Sequence, residues 1–436
     1  MVSETVARAL TLLGANPFDG PADALREAVA RLVRMPRARL VMEPLERGAV
    51  VEAERNLLAI GHAEVLAAQA TPDHGAERVL AFPERIWSRL PRERSAYLRI
   101  CRAAGRGFAA LDGLVGSSEA MAEVRRGTWA ACFGDSLHGA LVLEKVIVDH
   151  DVLVLGETGT GKEAVAQAIQ EALPGGADGG PAPRAALNAG AVPETLIESE
   201  LFGHVKGAFT GATTERKGRI RSAKGGCFFL DEVGDIPETT QVKLLRVMET
   251  NVVQPLGADQ GFVADVRYVA ATHKDLDAMV EAGAFRRDLF QRLAGHVITL
   301  PPLRDRRADI PELGRWFVRR YMSPESAPAV WERVESWLAR AATRLYAWPG
   351  NVRELQNLLR SVMLGFEPEI DEAPPPPSPE LPSQFVECTA TLRELDEWYL
   401  ARVLRQVENN YAAAARILGV DRATIRRRAK RLKRKK

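Results

Sequence analysis

The stretch VLVLGETGTGKE, Val152 to Glu163, limits the possible folds of this chain more than any other. An apolar run breaks into a glycine-rich heptapeptide that ends on a lysine, and the helical pattern EAVAQAIQEAL follows. It reads as a buried strand, a tight loop and a helix, and it matches G-x-x-x-x-G-K. Glycines let such a loop curl until its N–H groups point inward at phosphate oxygens. Lys162 then reaches the β and γ phosphates. The expected nucleotide contacts are Gly156, Glu157, Thr158, Gly159, Thr160, Gly161, Lys162 and Glu163, where Glu163 stands in place of the usual Ser or Thr.

A second block supplies what hydrolysis needs. CFFLDE, Cys227 to Glu232, is an apolar run ending in two acids about seventy residues after the P-loop. Asp231 is expected to hold Mg2+ and Glu232 to polarise the attacking water, since phosphoryl transfer to water needs positioning and electrostatics more than covalent chemistry. Two acids at an exposed strand end are the plainer alternative for this block alone. RRDLFQRL places Arg286 and Arg292 six residues apart. They fit groups that stabilise charge on a γ-phosphate in a neighbouring subunit, although from spacing alone a basic amphipathic helix is the simpler reading. WPGNVREL starts a helix after Pro-Gly, with Arg353 placed to reach back to the nucleotide or to make a surface ion pair. Between the glycine-rich and acidic blocks lies HVKGAFTGAT, a lone aromatic ring between two glycines with no strong acid, base or metal ligand.

Residues 113–366 alternate strand-like runs with helical patterns, an α/β arrangement (113–300) followed by a helical lid (301–366). EPEIDEAPPPPSPELPSQ is too rich in proline for a helix or sheet interior, so residues 367–386 read as a linker. Residues 387–436 follow it and residues 1–112 precede the core. The net charge is only +2, yet ten of the sixteen residues from Asp421 to Lys436 are Lys or Arg. A basic end on an acidic body suggests a nucleic-acid contact, or a solvated tail. The four cysteines, Cys101, Cys132, Cys227 and Cys388, form no CxxC pair, which argues against a zinc site and for a reducing cytoplasm. No apolar run approaches the roughly 20 residues that span a bilayer.

NNYAAAARILGVDRATIRRRAKRLKRKK reads as two helices turning at Gly419, with Asp421 as a cap. Arg422, Ala423, Thr424, Arg426, Arg427 and Lys430 on the second helix are the expected DNA contacts. A basic two-helix hairpin that binds no DNA is the alternative. The preceding helix carries Leu392, Leu395, Trp398, Tyr399, Val403, Leu404 and Val407 at helical spacing, a packing or dimer face. In residues 1–112, VARALTLLG and ADALREAVARLVRM have helical spacing, whereas RARLVME and RVLAFPERIW suit strands, so a mixed α/β fold is expected there. No acidic cluster, strand-end aspartate and lysine of a receiver domain are found. A ligand-sensing fold, a helical partner-binding module and a bare scaffold stay open.

These blocks, in this order, resemble the AAA+ domain of bacterial enhancer-binding proteins, the activators of sigma-54 RNA polymerase. GETGTGKE, ESELFGHVKGAFTGA, GGCFFLDEVGD, FRRDLFQRL, LPPLRDRRADIP and WPGNVRELQN each look like blocks of that family, and the last two helices resemble its Fis-type helix-turn-helix. The resemblance implies an ATPase that uses ATP and Mg2+, binds enhancer DNA, and assembles from dimers into a hexameric or heptameric ring that remodels sigma-54 holoenzyme. It implies that Asn188 is a switch holding Glu232, that Thr272 and His273 are the first sensor and Arg353 the second, and that Arg286 and Arg292 act in trans. Gly207, Ala208, Phe209, Thr210, Gly211 and Ala212 would be the sigma-54 contact. The segment RRGTWAACFGDSLHGALVLEKVIVDHD looks longer than the family's usual stretch. Two other readings stay open: a nucleotide-controlled DNA-binding repressor, and a general AAA+ remodeller.

Overall fold

The computed structural model describes residues 4–70, 79–176, 179–340, 343, 346–368, 370, 391–407, 411–420 and 422–433. The chain divides into two units, Met1–Ile370 and Asp371–Lys436. The expected linker lies largely outside the described residues.

The first unit begins with six helices: α1 (Glu4–Gly14), α2 (Ala22–Arg34), α3 (Arg37–Glu46), α4 (Val50–Ala70), α5 (Glu84–Trp87) and α6 (Arg94–Asp112). Among the described residues up to 112 no strand is found, contrary to the expected mixed α/β fold: RARLVME lies in α3 and ERIW forms α5. Leu40, Val41, Pro44 and Leu45 bury one face at helical rather than alternating spacing. Pro44 removes the N–H that would bond the Leu40 carbonyl, and Asn56 Nδ2 donates to that oxygen instead at 2.9 Å. α4 is buried nearly all round and forms the centre of this layer.

Next come α7 (Glu119–Phe133), α8 (Leu137–Val142), α9 (Glu144–Val148), β1 (Val152–Leu155), α10 (Lys162–Ala172), β2 (Arg184–Asn188) and α11 (Glu194–Phe202). The chain continues through β3 (Gly203–His204), β4 (Arg216–Lys217), α12 (Arg219–Ser222), β5 (Gly226–Asp231), α13 (Glu238–Thr250), β6 (Val252–Val253) and β7 (Phe262–Val263). It closes the sheet region with β8 (Val266–Thr272), α14 (Leu276–Glu281), α15 (Arg287–Leu293) and β9 (His296–Thr299). Five strands form a parallel sheet in the order β2-β5-β8-β1-β9. Because β1 lies between β8 and β9, the P-loop leaves the sheet beside the end of β8, with the end of β5 one strand further on, the usual place for a ligand in such a sheet.

Successive residues point to opposite faces. Val152, Val154, Cys227, Phe229, Val269 and Ala271 join one core, which also contains Val6, Leu13, Leu57, Ile100 and Trp129 from the N-terminal helices and α7. That core crosses positions 112 and 113, so the N-terminal helices and the sheet share it. Leu153, Phe228, Leu230, Tyr268 and Ala270 face a second core with α11, α13 and α15. A helical lid, α16 (Ile310–Tyr321), α17 (Ala327–Leu338) and α18 (Asn351–Met363), has its own core around Phe317, Trp337 and Trp348. No helix among the described residues is long and apolar enough to cross a membrane.

The second unit contains α19 (Leu392–Gln406), α20 (Tyr411–Leu418) and α21 (Arg422–Lys433), packed on Leu400, Val403, Leu404, Ala414, Ile425 and Ala429.

Candidate functional site

Strand β1 delivers the loop and α10 receives it, with Lys162 as the first residue of that helix. Gly159 has φ +80°, and a Cβ there would lie 2.3 Å from the Gly350 carbonyl of the lid, so glycine is required by both conformation and space. The Lys162 side chain is largely buried, and its ammonium donates to the carbonyls of Gly156 at 2.9 Å and Glu157 at 3.3 Å. Glu232 Oε1 stands 3.8 Å away. Burial lowers the Lys162 pKa, and the charges of Glu232 and Asp231 oppose that shift. An anion entering here would favour the charged ammonium.

The two acids part at the end of β5. Asp231 is the last strand residue, in register with Asn188 on β2, and accepts from Asn188 Nδ2 at 2.8 Å. Glu232 turns into the left-handed region, φ +52° and ψ +50°, which swings its carboxylate toward β8. There Oε2 accepts from the His273 backbone N–H at 3.2 Å and lies 2.7 Å from His273 Nδ1. The expected hold of Asn188 on Glu232 is thus replaced: Asn188 holds Asp231, and Glu232 is held by His273. The reason is the register, which pairs Asn188 with the first acid and leaves the second to the strand on the other side. Thr272 is buried, its hydroxyl accepting from Lys274 N–H at 3.1 Å. Burial, and secondarily the neighbouring Glu232 charge, raises the Asp231 pKa.

The lid closes the site. Thr158, Gly159, Gly161, Lys162, Glu163, Asn188, Asp231, Glu232 and Arg353 all line one cavity of about 430 Å3. Gly156, Glu157 and Thr160 belong to the loop but not to that wall. Residues not singled out from sequence fix the lid to the loop. Asn351 is fully buried with φ +53°. Its amide donates to Thr158 O at 3.1 Å and Glu157 Oε2 at 3.2 Å and accepts from Leu303 N–H at 2.7 Å. Arg304 grips Glu157 through two bonds, of 2.8 and 2.5 Å, and holds its carboxyl below the ordinary range. Arg306 donates to Thr160 O at 2.8 Å. Asparagine tolerates a positive φ, so the Gly-Asn pair at a helix start was a readable signal for Asn351.

Among the described residues no three metal-ligating side chains converge. Mg2+ in phosphate sites needs only one or two carboxylates beside the phosphate oxygens. Asp231, with Glu232 next to it and across from the lysine, fits that donor set.

Arg286 and Arg292 do not reach the cavity of their own subunit. Arg286 is half-buried and forks onto Asp288, at 3.1 and 2.7 Å. Arg292 bonds Asp149 at the other end of β1 from the P-loop.

The glycine-bracketed loop leaves α11 through the short β3–β4 ribbon. At Gly207 (φ +84°) and Gly211 (φ +103°) a Cβ would meet nothing within 4 Å. The loop closes on itself through Gly207 N–H to Ala212 O, 2.8 Å. Phe209 is 40% exposed and meets His204 edge-on at 5.0 Å. Thr210 is exposed and Ala212 is buried.

In the second unit Gly419 turns the chain at φ +64°. Ile425 and Ala429 bury one side of α21, and Arg426 and Arg427 stand exposed on it, while Arg428 pairs with Asp396 at 2.8 Å. Thr424 is half-buried. Asp421 and the side chains of Arg422, Ala423 and Lys430 lie outside the described residues. The expected apolar face of α19 splits: Val403 and Leu404 are core, whereas Leu395 and Tyr399 are exposed. The Leu392 side chain lies outside the described residues.

Residues 140–299 match the family described as the Sigma-54 interaction domain, and residues 304–373 match an AAA+ ATPase lid domain. The chain is 42% identical over 286 residues to the transcriptional regulatory protein ZraR of Klebsiella oxytoca, covering 64% of this chain and 62% of that protein. It is 38% identical over 352 residues to the DNA-binding transcriptional regulator NtrC of Azospirillum brasilense, covering 72% and 68%. The chain thus spans about three fifths of the length of the first of these relatives. Among solved structures it is similar to NtrX from Brucella abortus, with a TM-score of 0.45, 25% identity and coverage of 86% and 85%.

Proposed function

This chain belongs to the family of sigma-54-dependent transcriptional regulators, and from that premise we propose that it is an ATP-hydrolysing activator that opens promoters held by sigma-54 holoenzyme. The observation that carries the reading is the path from cavity to loop. Asn188 lines the phosphate cavity, and the chain runs from it through Pro193 into α11, whose far end delivers the Phe209 loop. Nine residues of helix make a strut of about 13 Å.

Lys162 and the inward N–H groups of the P-loop bind the β and γ phosphates, and Arg353 closes on them from the lid. Mg2+, when bound at Asp231, supplies charge neutralisation of the phosphate oxygens. Glu232 accepts the proton of the attacking water as its oxygen bonds to the γ phosphorus and the bond to the β–γ bridging oxygen breaks, leaving ADP and phosphate. His273 holds the Glu232 carboxylate in the meantime and releases it to the water when nucleotide fills the site. Arg286 and Arg292 complete the site of a neighbouring copy in a ring, which accounts for their placement away from their own cavity. Loss of the γ-phosphate moves Asp231 and Asn188, and α11 passes that movement to the loop. The glycines are its pivots, and Phe209 and Thr210 touch sigma-54.

Arg426 and Arg427 on α21 bind enhancer DNA, with Arg422, Ala423 and Thr424 reaching base edges and Lys430 reaching phosphate. An open-complex assay tests the whole reading. Opening by sigma-54 holoenzyme that requires hydrolysable ATP is expected. Equal opening with the major sigma factor, or with a non-hydrolysable analogue, would refute it.

A further inference from the structure

The N-terminal end of β1 carries a group that the mechanism above does not use. Asp151 is 1% exposed, one residue ahead of the strand. Its Oδ1 accepts from Tyr268 N–H at 2.9 Å, while Oδ2 has no hydrogen bond and lies 3.5 Å from the Arg292 guanidinium. The same guanidinium reaches Asp149 Oδ1 and its carbonyl, each at 3.2 Å, and Met248 O at 3.4 Å. These contacts fix Arg292 to the junction of α9 and β1 and to the end of α13. The Asp151 backbone carbonyl also accepts from His296 N–H at 3.0 Å, which anchors the junction to β9.

A buried carboxylate is an expensive way to cap a strand. Burial pushes the Asp151 pKa up to about 6, against the pull of Arg292, the Tyr268 N–H and Arg267, with Asp149 pushing the same way as burial. An asparagine would keep the bond to Tyr268 without burying a charge, so folding does not require an acid here. What the acid adds is a fixed negative charge that aims a guanidinium.

We propose that Asp151, assisted by Asp149, is the positioning residue that presents Arg292 to the active site of a second copy of this chain. Strand β1 then carries the P-loop at one end and the mount of the arginine at the other, about 17 Å away. A nucleotide-dependent shift of β1 in one subunit changes the arginine offered to the next. The inference rests on the reading of Arg292 as a group acting in trans.

The test uses full-length subunits made silent for their own hydrolysis by Lys162→Ala, mixed in excess with parent subunits, so that only their effect on a neighbour is read. Asp151→Asn in the silent subunit should lower turnover per parent subunit at least about tenfold beyond Lys162→Ala alone, approaching the loss caused by Arg292→Ala in the same background. Asp149→Asn should do the same more weakly. Asp151→Asn alone should leave the melting temperature at or above that of the parent and lower kcat with little change in KM for ATP. No added loss from Asp151→Asn, where Arg292→Ala does add one, would overturn the inference and leave Arg292 as a trans group. No added loss from Arg292→Ala would remove that reading and the inference with it. A melting temperature that falls along with activity would reduce Asp151 to a structural role.

Discussion

The two faces of the central sheet are built from alternate residues of the same strands, and they are put to different uses. On the face of Val152, Val154 and Phe229, helix α10 is overlaid by α6 and the rest of the N-terminal layer. The contact is close: a Cβ on Gly107 would lie 2.8 Å from the Ala172 side chain. Arg106 ends the P-loop helix there by donating to Glu171 O, Leu173 O and Gly179 O, at 3.0, 3.2 and 2.7 Å. On the face of Leu153, Phe228 and Leu230, helices α11, α13 and α15 form a single layer that leads to exposed termini. Phe209, Arg286 and the unobstructed glycines lie there. One face is covered by the N-terminal helices, and the other carries the glycine-bracketed loop.

The comparison can be broken in several places. Removing residues 1–112 should yield insoluble or unfolded protein rather than a more active enzyme, because it strips the cover from α10 and from half of one core. A folded, monodisperse fragment in solution would show that the N-terminal layer is detachable. At the cavity, Glu232→Gln should lower ATP turnover about 100- to 10 000-fold with an unchanged melting temperature. A normal rate would dismiss Glu232 as the base. On the covered face, Trp129→Ala should cost about 3–5 kcal/mol in denaturant unfolding. Trp129 is fully buried, stacks on His62 at 5.5 Å and donates to Ala15 O at 3.0 Å. A cost below about 1 kcal/mol would mean that this layer packs loosely.

The smallest effect is a pH slope. Burial lowers the His62 pKa from 6.5 to about 4, only partly offset by its bond to Leu13 O. A histidine whose folded pKa is depressed contributes stability above the unfolded value that is lost as pH falls toward the folded one. The parent should therefore lose about 3 kcal/mol from this group between pH 6.5 and 4. Asp151, raised from 3.8 to about 6, acts in the opposite sense and gains stability over much of the same window. The quantity to measure is thus the difference between the parent and His62→Gln, which should shrink as pH falls. A constant difference would place His62 in contact with water.

Short-range chemistry was readable in the sequence and long-range pairing was not. Lys162, Asp231, Glu232 and Arg353 stand in local strings whose spacing shows a strand end or a helix start, and all four line one cavity. The partner of Asn188 depends on strand register, which no local string records. Asn351 and Arg304 act on residues 194 and 147 positions away. In the N-terminal layer, the apolar run of RARLVME mimicked a strand, and the helix there tolerates Pro44 because the side chain that takes up the freed carbonyl, Asn56, is supplied by another helix.

The central claim is that chemistry at the cavity is delivered to a partner through the Phe209 loop, and one variant measured two ways tests it most directly. Phe209→Ala should keep ATP turnover within about twofold of the parent, since the ring is 40% exposed and away from the cavity wall. The same preparation should fail to open a promoter bound by sigma-54 holoenzyme. Retained opening, or loss of hydrolysis together with opening, would contradict the account.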